Sequence, residues 1–199
     1  MVPVLLVAAG YVLGSMPWGL WLVRIFRGED IRTVGSGNIG ATNVWRLYGR
    51  RFGIPAVLLD SAKGFVPAFV AVELAGHGAG VLAGAAAMLG HWRPLFLRFR
   101  RGGKMVATAG GAFLGVAPLV GGAAAGMWLL VFALTRYASV ASMVSAVSLV
   151  FWAWLFGYPW PVLAFACFAA GGVVLLHRAN IRRLARGEES RFRRPAASP

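Results

Sequence analysis

Residues 137–176 run for 40 positions without a charged side chain, and residues 105–135 for 31. A helix that is apolar on every side must be buried on every side, which a small water-soluble domain cannot arrange repeatedly. A bilayer accepts such segments, each crossing taking about 20 mostly apolar residues. Residues 1–23 are also uncharged, and 52–92 is interrupted only by Asp60, Lys63, Glu73, His77 and His91. Charged residues make up 13% of the chain, about half the ~25% of a soluble domain. The chain is therefore read as an all-α, polytopic integral membrane protein, and a soluble globular fold is excluded.

The basic residues set the topology. Of 20 Lys and Arg, six lie in 24–51, five in 93–104, one at Arg136 and seven in 178–194, leaving only Lys63. Cytoplasmic loops collect such residues, so the large clusters should share one side. That parity requires two crossings within 105–135, hinged near Pro118 and Gly121-Gly122, and two within 137–176, broken at Gly157–Pro161. Seven helices are predicted, at about 2–24, 53–74, 79–92, 105–118, 121–135, 138–156 and 161–177. The N-terminus is then outside and the C-terminus cytoplasmic, with a flexible basic tail over about 189–199. Residues 1–23 lack a positive n-region and read as a retained first helix. The whole of 1–199 reads as one membrane domain. The net charge of +14 follows from this inside bias and anionic lipid contact, which argues against nucleic-acid binding. Cys167 is the only cysteine, so no intrachain disulfide is possible, and no Cys/His cluster suggests a metal.

Polar and glycine-rich sequence gathers on the predicted cytoplasmic face. Gly35-Ser36-Gly37-Asn38-Ile39-Gly40-Ala41-Thr42-Asn43 combines glycines with short polar side chains ahead of a short helix, the composition of an anion-binding nest. A tight interfacial loop would use the same glycines, and both readings stay open on the residues alone. Gly35, Gly37 and Gly40 match a dinucleotide fingerprint with Asp60 at the right distance, but Asp60 falls in a membrane helix and no βαβ unit surrounds it. Gly102-Gly103-Lys104 opens a helix and places one of only two lysines among 18 arginines, a compact point charge suited to phosphate. Arg98, Arg100 and Arg101 beside it also serve as positive-inside anchors. His177 and Asn180 share a helix face at the membrane boundary, where a His can equally be a cap. Ser139 and Ser142 share a face just after Arg136. Asp60 and Lys63, at i and i+3 inside a span, are expected to pair with each other.

Together these segments resemble the bacterial acyl-phosphate:glycerol-3-phosphate acyltransferase family, the PlsY type, from Gly14-Ser15-Met16-Pro17-Trp18-Gly19 to Gly187-Glu188. The Gly35–Asn43 loop with Arg46 looks like its first cytoplasmic motif, Gly102-Gly103-Lys104 with Val106-Ala107-Thr108 its second, and His177-Arg178-x-Asn180-Ile181-x-Arg183-Leu184 its third. Arg136-Tyr137-x-Ser139-x-x-Ser142 resembles the serine segment before the third. Met105 departs from the family, which usually carries glycine there.

The resemblance implies transfer of a fatty acyl group from acyl phosphate to the 1-hydroxyl of sn-glycerol 3-phosphate, giving lysophosphatidic acid and phosphate, in the bacterial plasma or inner membrane with the site facing the cytoplasm. Neither a cofactor nor an obligate protein partner is implied. An acyl phosphate is already activated, which fits the absence of a G-x-S-x-G elbow. On this reading Lys104, His177, Asn180 and Ser142 are catalytic. Ser36, Gly37, Asn38, Gly40, Thr42, Asn43, Arg46, Gly102, Gly103 and Ser139 bind substrate. The competing reading is an anion or phosphate-ester transporter, which would need ionisable or broken-helix features near the midplane.

Overall fold

The computed structural model describes residues 2–192, and all regular structure among them is helical. In chain order the helices are α1 (Val2–Gly14), α2 (Trp18–Arg27), α3 (Ala41–Tyr48), α4 (Arg50–Trp92), α5 (Val106–Val116), α6 (Pro118–Thr135), α7 (Ala138–Leu155), α8 (Trp160–Leu176) and α9 (Arg178–Ala185). Val2–Arg27, Arg50–Leu97, Pro118–Thr135 and Ala138–Leu155 are long and apolar enough to cross a membrane, and α8 with the bent α9 makes a fifth such stretch. Helix α5 is equally apolar but, at 11 residues, is only about 16 Å long.

Helix α4 folds back on itself. Gly76 has φ 80° and ψ 177°, a conformation that only glycine reaches without strain. A straight helix of 43 residues would extend about 65 Å, yet Asp60 and His91 approach to 3.8 Å across its two arms. The reversal falls between Glu73 and His77, where the sequence predicts an outer turn.

The interior is rich in small residues and the exterior in large ones. Ala83, Ala87, Ala112, Ala141, Ala153 and Ala166 are fully buried or nearly so, whereas Leu134, Trp160, Ile25 and Leu175 are more than two-thirds exposed. Lipid supplies no hydrophobic force between helices, so they associate by backbone approach at small residues. A Cβ at Gly14 would strike the Ala87 backbone, and one at Gly90 the Tyr11 carbonyl, which fixes α1 against the second arm of α4. Gly64 against Thr108 O and Gly111 against Ser61 O do the same for the first arm and α5. Phe113 stacks on Phe165 with centroids 4.5 Å apart, joining α5 to α8.

Several expectations need correction. The first predicted helix, 2–24, is two helices broken at Ser15–Pro17, because Pro17 has no N–H to give and the Met16 carbonyl accepts from Lys63 Nζ (2.8 Å) and Trp18 N–H (3.1 Å) instead of from the next helical turn. Helix α4 begins at Arg50 rather than 53. The hinge between α5 and α6 is Ala117 (φ −146°), and Gly121 lies inside α6, packed on the Phe113–Leu114 backbone. The tail is tied down at its start: Glu189 accepts three hydrogen bonds, and Phe192 N–H donates to Arg136 O at 2.9 Å. Residues 193–199, with Arg193 and Arg194, lie outside the described residues.

Candidate active site

The Gly35–Asn43 loop is organised from within. Asn43 on α3 is buried; its Oδ1 accepts the Ser36 N–H at 3.1 Å, and its Nδ2 donates to Val34 O at 3.3 Å and Asn38 O at 3.0 Å. Asn38 Oδ1 accepts the Gly40 N–H at 2.7 Å, and Gly37 N–H donates to Val34 O at 3.1 Å. The N–H groups of Ser36, Gly37 and Gly40 are thus spent inside the loop, and Asn43 is its internal strut. What faces outward are the exposed Ser36, Thr42 and Arg46 side chains and the N-terminus of α3, whose first turn carries no side-chain cap. Such helix starts offer donors of the kind anions occupy.

The Gly102–Lys104 segment is pinned to the end of α4. Gly102 N–H donates to Trp92 O at 2.8 Å and Gly103 N–H to His91 O at 3.0 Å. These glycines are therefore close-packing positions rather than free donors. Beyond them Lys104 Nζ donates to Asn180 Oδ1 at 2.5 Å, joining the second and third motifs. Met105 follows at φ 68°, the left-handed conformation for which glycine is suited. The departure noticed in the sequence therefore sits where the backbone most wants glycine.

The bend of 56° between α8 and α9 sets the third motif. His177 occupies the corner, and its Nδ1 lies 2.8 Å from Val173 O. A carbonyl can only accept, so Nδ1 carries the proton and Nε2 retains a lone pair. Asn180 Nδ2 donates to Glu189 Oε1 at 2.6 Å, Ser139 Oγ to the same oxygen at 2.7 Å, and Arg183 Nε to Glu189 Oε2 at 2.7 Å. Ser142 Oγ donates to Ala138 O at 2.7 Å and accepts from Trp128 Nε1 at 3.1 Å. Phe192 meets Trp45 and Phe132 edge-on, and the Arg46 guanidinium lies 5.6 Å over its ring. A cleft of about 570 Å³ opens beside this cluster, lined by Arg136, Tyr137, Glu189, Ser190, Arg191 and Phe192.

Charge in the cluster is strongly tuned. Burial, then Arg183, Arg101 and Arg46, bring the Lys104 pKa down to about 8, against the opposing pull of Glu189. Burial pushes Glu189 up, but the hydrogen bonds from Asn180, Ser139 and Arg183 outweigh it and leave the carboxylate below its ordinary value.

The structure therefore brings Lys104, Asn180 and Ser139 into one network, with His177 on its edge and Arg46 linked through Phe192. The Gly35–Asn43 loop reaches it by way of α3. Sequence reasoning missed Glu189, which was assigned to a free tail. The available signal was compositional: Glu188 and Glu189 are two of only six acidic residues and stand among arginines.

A helical membrane protein in which separate polar segments meet in one basic, hydroxyl-bearing hydrogen-bond network is the class this defines. A family profile described as "Glycerol-3-phosphate acyltransferase" matches residues 4–187. Curated glycerol-3-phosphate acyltransferases from Desulforudis audaxviator and Aquifex aeolicus are 43% and 42% identical, covering 95% and 94% of this chain and 95% and 97% of theirs. Among solved structures, PlsY, described as an integral membrane glycerol 3-phosphate acyltransferase, superposes in its glycerol 3-phosphate form with TM-score 0.93 at 39% identity, over 97% of this chain and 96% of that one. Its lysophosphatidic acid form gives TM-score 0.90 at 37% identity, over the same shares. The chain belongs to the glycerol-3-phosphate acyltransferase family.

Proposed function

We propose that this protein transfers a fatty acyl group from acyl phosphate to the 1-hydroxyl of sn-glycerol 3-phosphate, releasing lysophosphatidic acid and phosphate at the inner leaflet of a bacterial membrane. The observation that carries this reading is the Lys104–Asn180–Glu189–Ser139 network. It joins three separate polar segments at one place in a member of this family. Seven crossings with the N-terminus outside keep these segments on the cytoplasmic face, and the arginine-rich loops favour that side.

Both substrates carry phosphates and one carries an acyl chain. A basic cleft with an apolar, lipid-facing exterior suits that pair. The substrate hydroxyl attacks the acyl carbonyl carbon, a new ester C–O bond forms, and the acyl–phosphate C–O bond breaks with its electron pair leaving on phosphate. The hydroxyl proton passes to His177 Nε2, the nitrogen left free by the Val173 contact. Lys104 and Arg46 neutralise the glycerol 3-phosphate, with Ser142 at the same wall. Asn180, Ser139 and the exposed Ser36 and Thr42 side chains of the Ser36–Asn43 loop hold the acyl-phosphate headgroup, while Gly37, Asn38, Gly40 and Asn43 shape that loop from within. Gly102 and Gly103 set the position of Lys104. Catalysis then rests on placing the reactants and stabilising departing charge.

Purified protein in detergent should release phosphate only when acyl phosphate and glycerol 3-phosphate are both present, with no sealed membrane required. Lys104→Ala and Asn180→Ala should each lower turnover roughly 10²–10³-fold, the usual cost of one such contact. Near wild-type turnover in either variant would overturn the role assignments, and dependence on closed vesicles would point to transport.

A further inference from the structure

Below the Gly102–Lys104 segment lies a group of buried polar side chains that the proposed chemistry does not use. Asp60 and Lys63 pair at 2.8 Å on the first arm of α4, each 3% exposed, and His91 on the second arm lies 3.8 Å from the same carboxylate oxygen. Lys63 Nζ also donates to Met16 O at 2.8 Å, in the break between α1 and α2. Ionisable groups inside a membrane protein are costly and are retained only with partners. An ion pair alone would explain Asp60 and Lys63, but it does not explain why a His faces them from the other arm.

The upper face of His91 supplies the reason. A Cβ added at Gly103 would fall on the His91 imidazole, and its three nearest neighbours, Nε2, Cε1 and Cδ2, all belong to that ring. A Cβ at Gly102 would fall on the His91 carbonyl oxygen, and that same oxygen accepts the Gly103 N–H at 3.0 Å. Gly103 is not in the left-handed region, so its backbone would tolerate alanine. The imidazole is the obstacle. The next residue is Lys104, whose ammonium reaches Asn180.

We propose that His91 is a positioning residue for Lys104. With the Asp60 carboxylate facing its Nδ1 edge at 3.8 Å, its ring forms the floor on which Gly103 rests, and this sets how far the Lys104 ammonium extends toward the substrate phosphate. The proposal rests on Lys104 being the phosphate contact named above, and the test separates the two.

The test compares Gly103→Ala, His91→Ala, the double variant and Lys104→Ala, purified in detergent, by KM for glycerol 3-phosphate, kcat and melting temperature. Gly103→Ala lifts the segment off the ring and should lower kcat/KM roughly 100-fold, the cost of a misplacement of about 1 Å. His91→Ala should raise KM for glycerol 3-phosphate more than it lowers kcat. The decisive result is the double variant: with the ring gone the alanine methyl has space, so activity should rise at least about 10-fold above Gly103→Ala alone. Residues that only stabilise the fold would give losses that add. His91→Ser, which removes the ring while keeping a small polar side chain, takes the place of His91→Ala if that variant does not fold. A double variant no better than Gly103→Ala, or an unchanged KM on removing the ring, overturns the proposal while Lys104→Ala is still inactive. An active Lys104→Ala overturns the underlying reading instead.

Discussion

On the proposed role of Lys104 as the phosphate contact, its lowered pKa makes substrate affinity a function of pH. Burial and the neighbouring Arg183, Arg101 and Arg46 hold it at about 8. Its ammonium is therefore mostly charged at pH 7 and mostly neutral at pH 9. A bound phosphate dianion favours the charged form, so binding takes up a proton wherever free Lys104 has lost its own. With a free pKa of about 8 and a bound pKa above the range tested, affinity scales with the protonated fraction. That fraction falls from about nine-tenths to about one-tenth between pH 7 and 9, so KM for glycerol 3-phosphate should rise about 10-fold. The substrate's second phosphate ionisation, near pH 6, is complete across this window and contributes nothing to the slope. Steady-state kinetics of the purified enzyme at pH 7, 8 and 9 measures the effect, with acyl phosphate held saturating. Lys104→Arg, which cannot lose its proton here, should give a flat KM over the same range, whatever its absolute value. A flat wild-type profile, or an equal slope in Lys104→Arg, would refute the assignment of Lys104 as the charge that holds this phosphate.

Three further outcomes follow from particular contacts. Met105 holds a left-handed conformation costing about 1–2 kcal/mol for a side-chain-bearing residue, while its side chain is 3% exposed; both Met105→Gly and Met105→Ala lose that packing, but only glycine relieves the backbone. Met105→Gly should therefore melt above Met105→Ala, by about 2–4 °C, the reverse of the usual helix ranking, and the opposite order would show that the φ of 68° carries no cost. Asp60→Ala should sharply reduce folded yield after extraction, since stranding one partner of a buried pair costs about 3–5 kcal/mol, and Asp60→Leu with Lys63→Met should recover most of it; an additive loss in the double variant would contradict the pairing. Glu189→Gln removes the one negative charge that supports the Lys104 ammonium, so the pH at which KM begins to rise should move below that of wild type, and an unchanged or higher midpoint would count against the cluster as described.

The fold was largely legible because lipid imposes simple rules on a chain. Uncharged length and basic clusters located α4 to α8 to within a few residues, and the reversal of α4 and the α7–α8 break each coincide with a glycine whose φ is positive, Gly76 and Gly157. What the sequence hid were local decisions between nearly equal alternatives. Pro17 could have merely kinked a continuous helix; it caps a second one instead, and the freed carbonyl of Met16 accepts from Lys63, a contact no local pattern encodes. Of the two hinge positions the sequence offers, Pro118 and Gly121-Gly122, the break falls at Ala117-Pro118, since Gly121 is needed for the close approach of α6 to α5.

The polar segments were legible as segments, and how their side chains pair was not. Short polar side chains beside glycines look alike whether they meet a ligand or hold a loop, and only three-dimensional pairing separates Asn43, which braces its own loop, from Asn180, which stands between Lys104 and Glu189. The same ambiguity concealed Glu189. Lys104 and Arg183 converge with Arg46 and Arg101 close enough to depress the Lys104 pKa, so the cluster carries a surplus of positive charge. One carboxylate, hydrogen-bonded to Asn180, Ser139 and Arg183, offsets part of that repulsion. A tail read only for its arginines gives no hint of this, because the need for a counter-charge arises from where the chain folds those cations together.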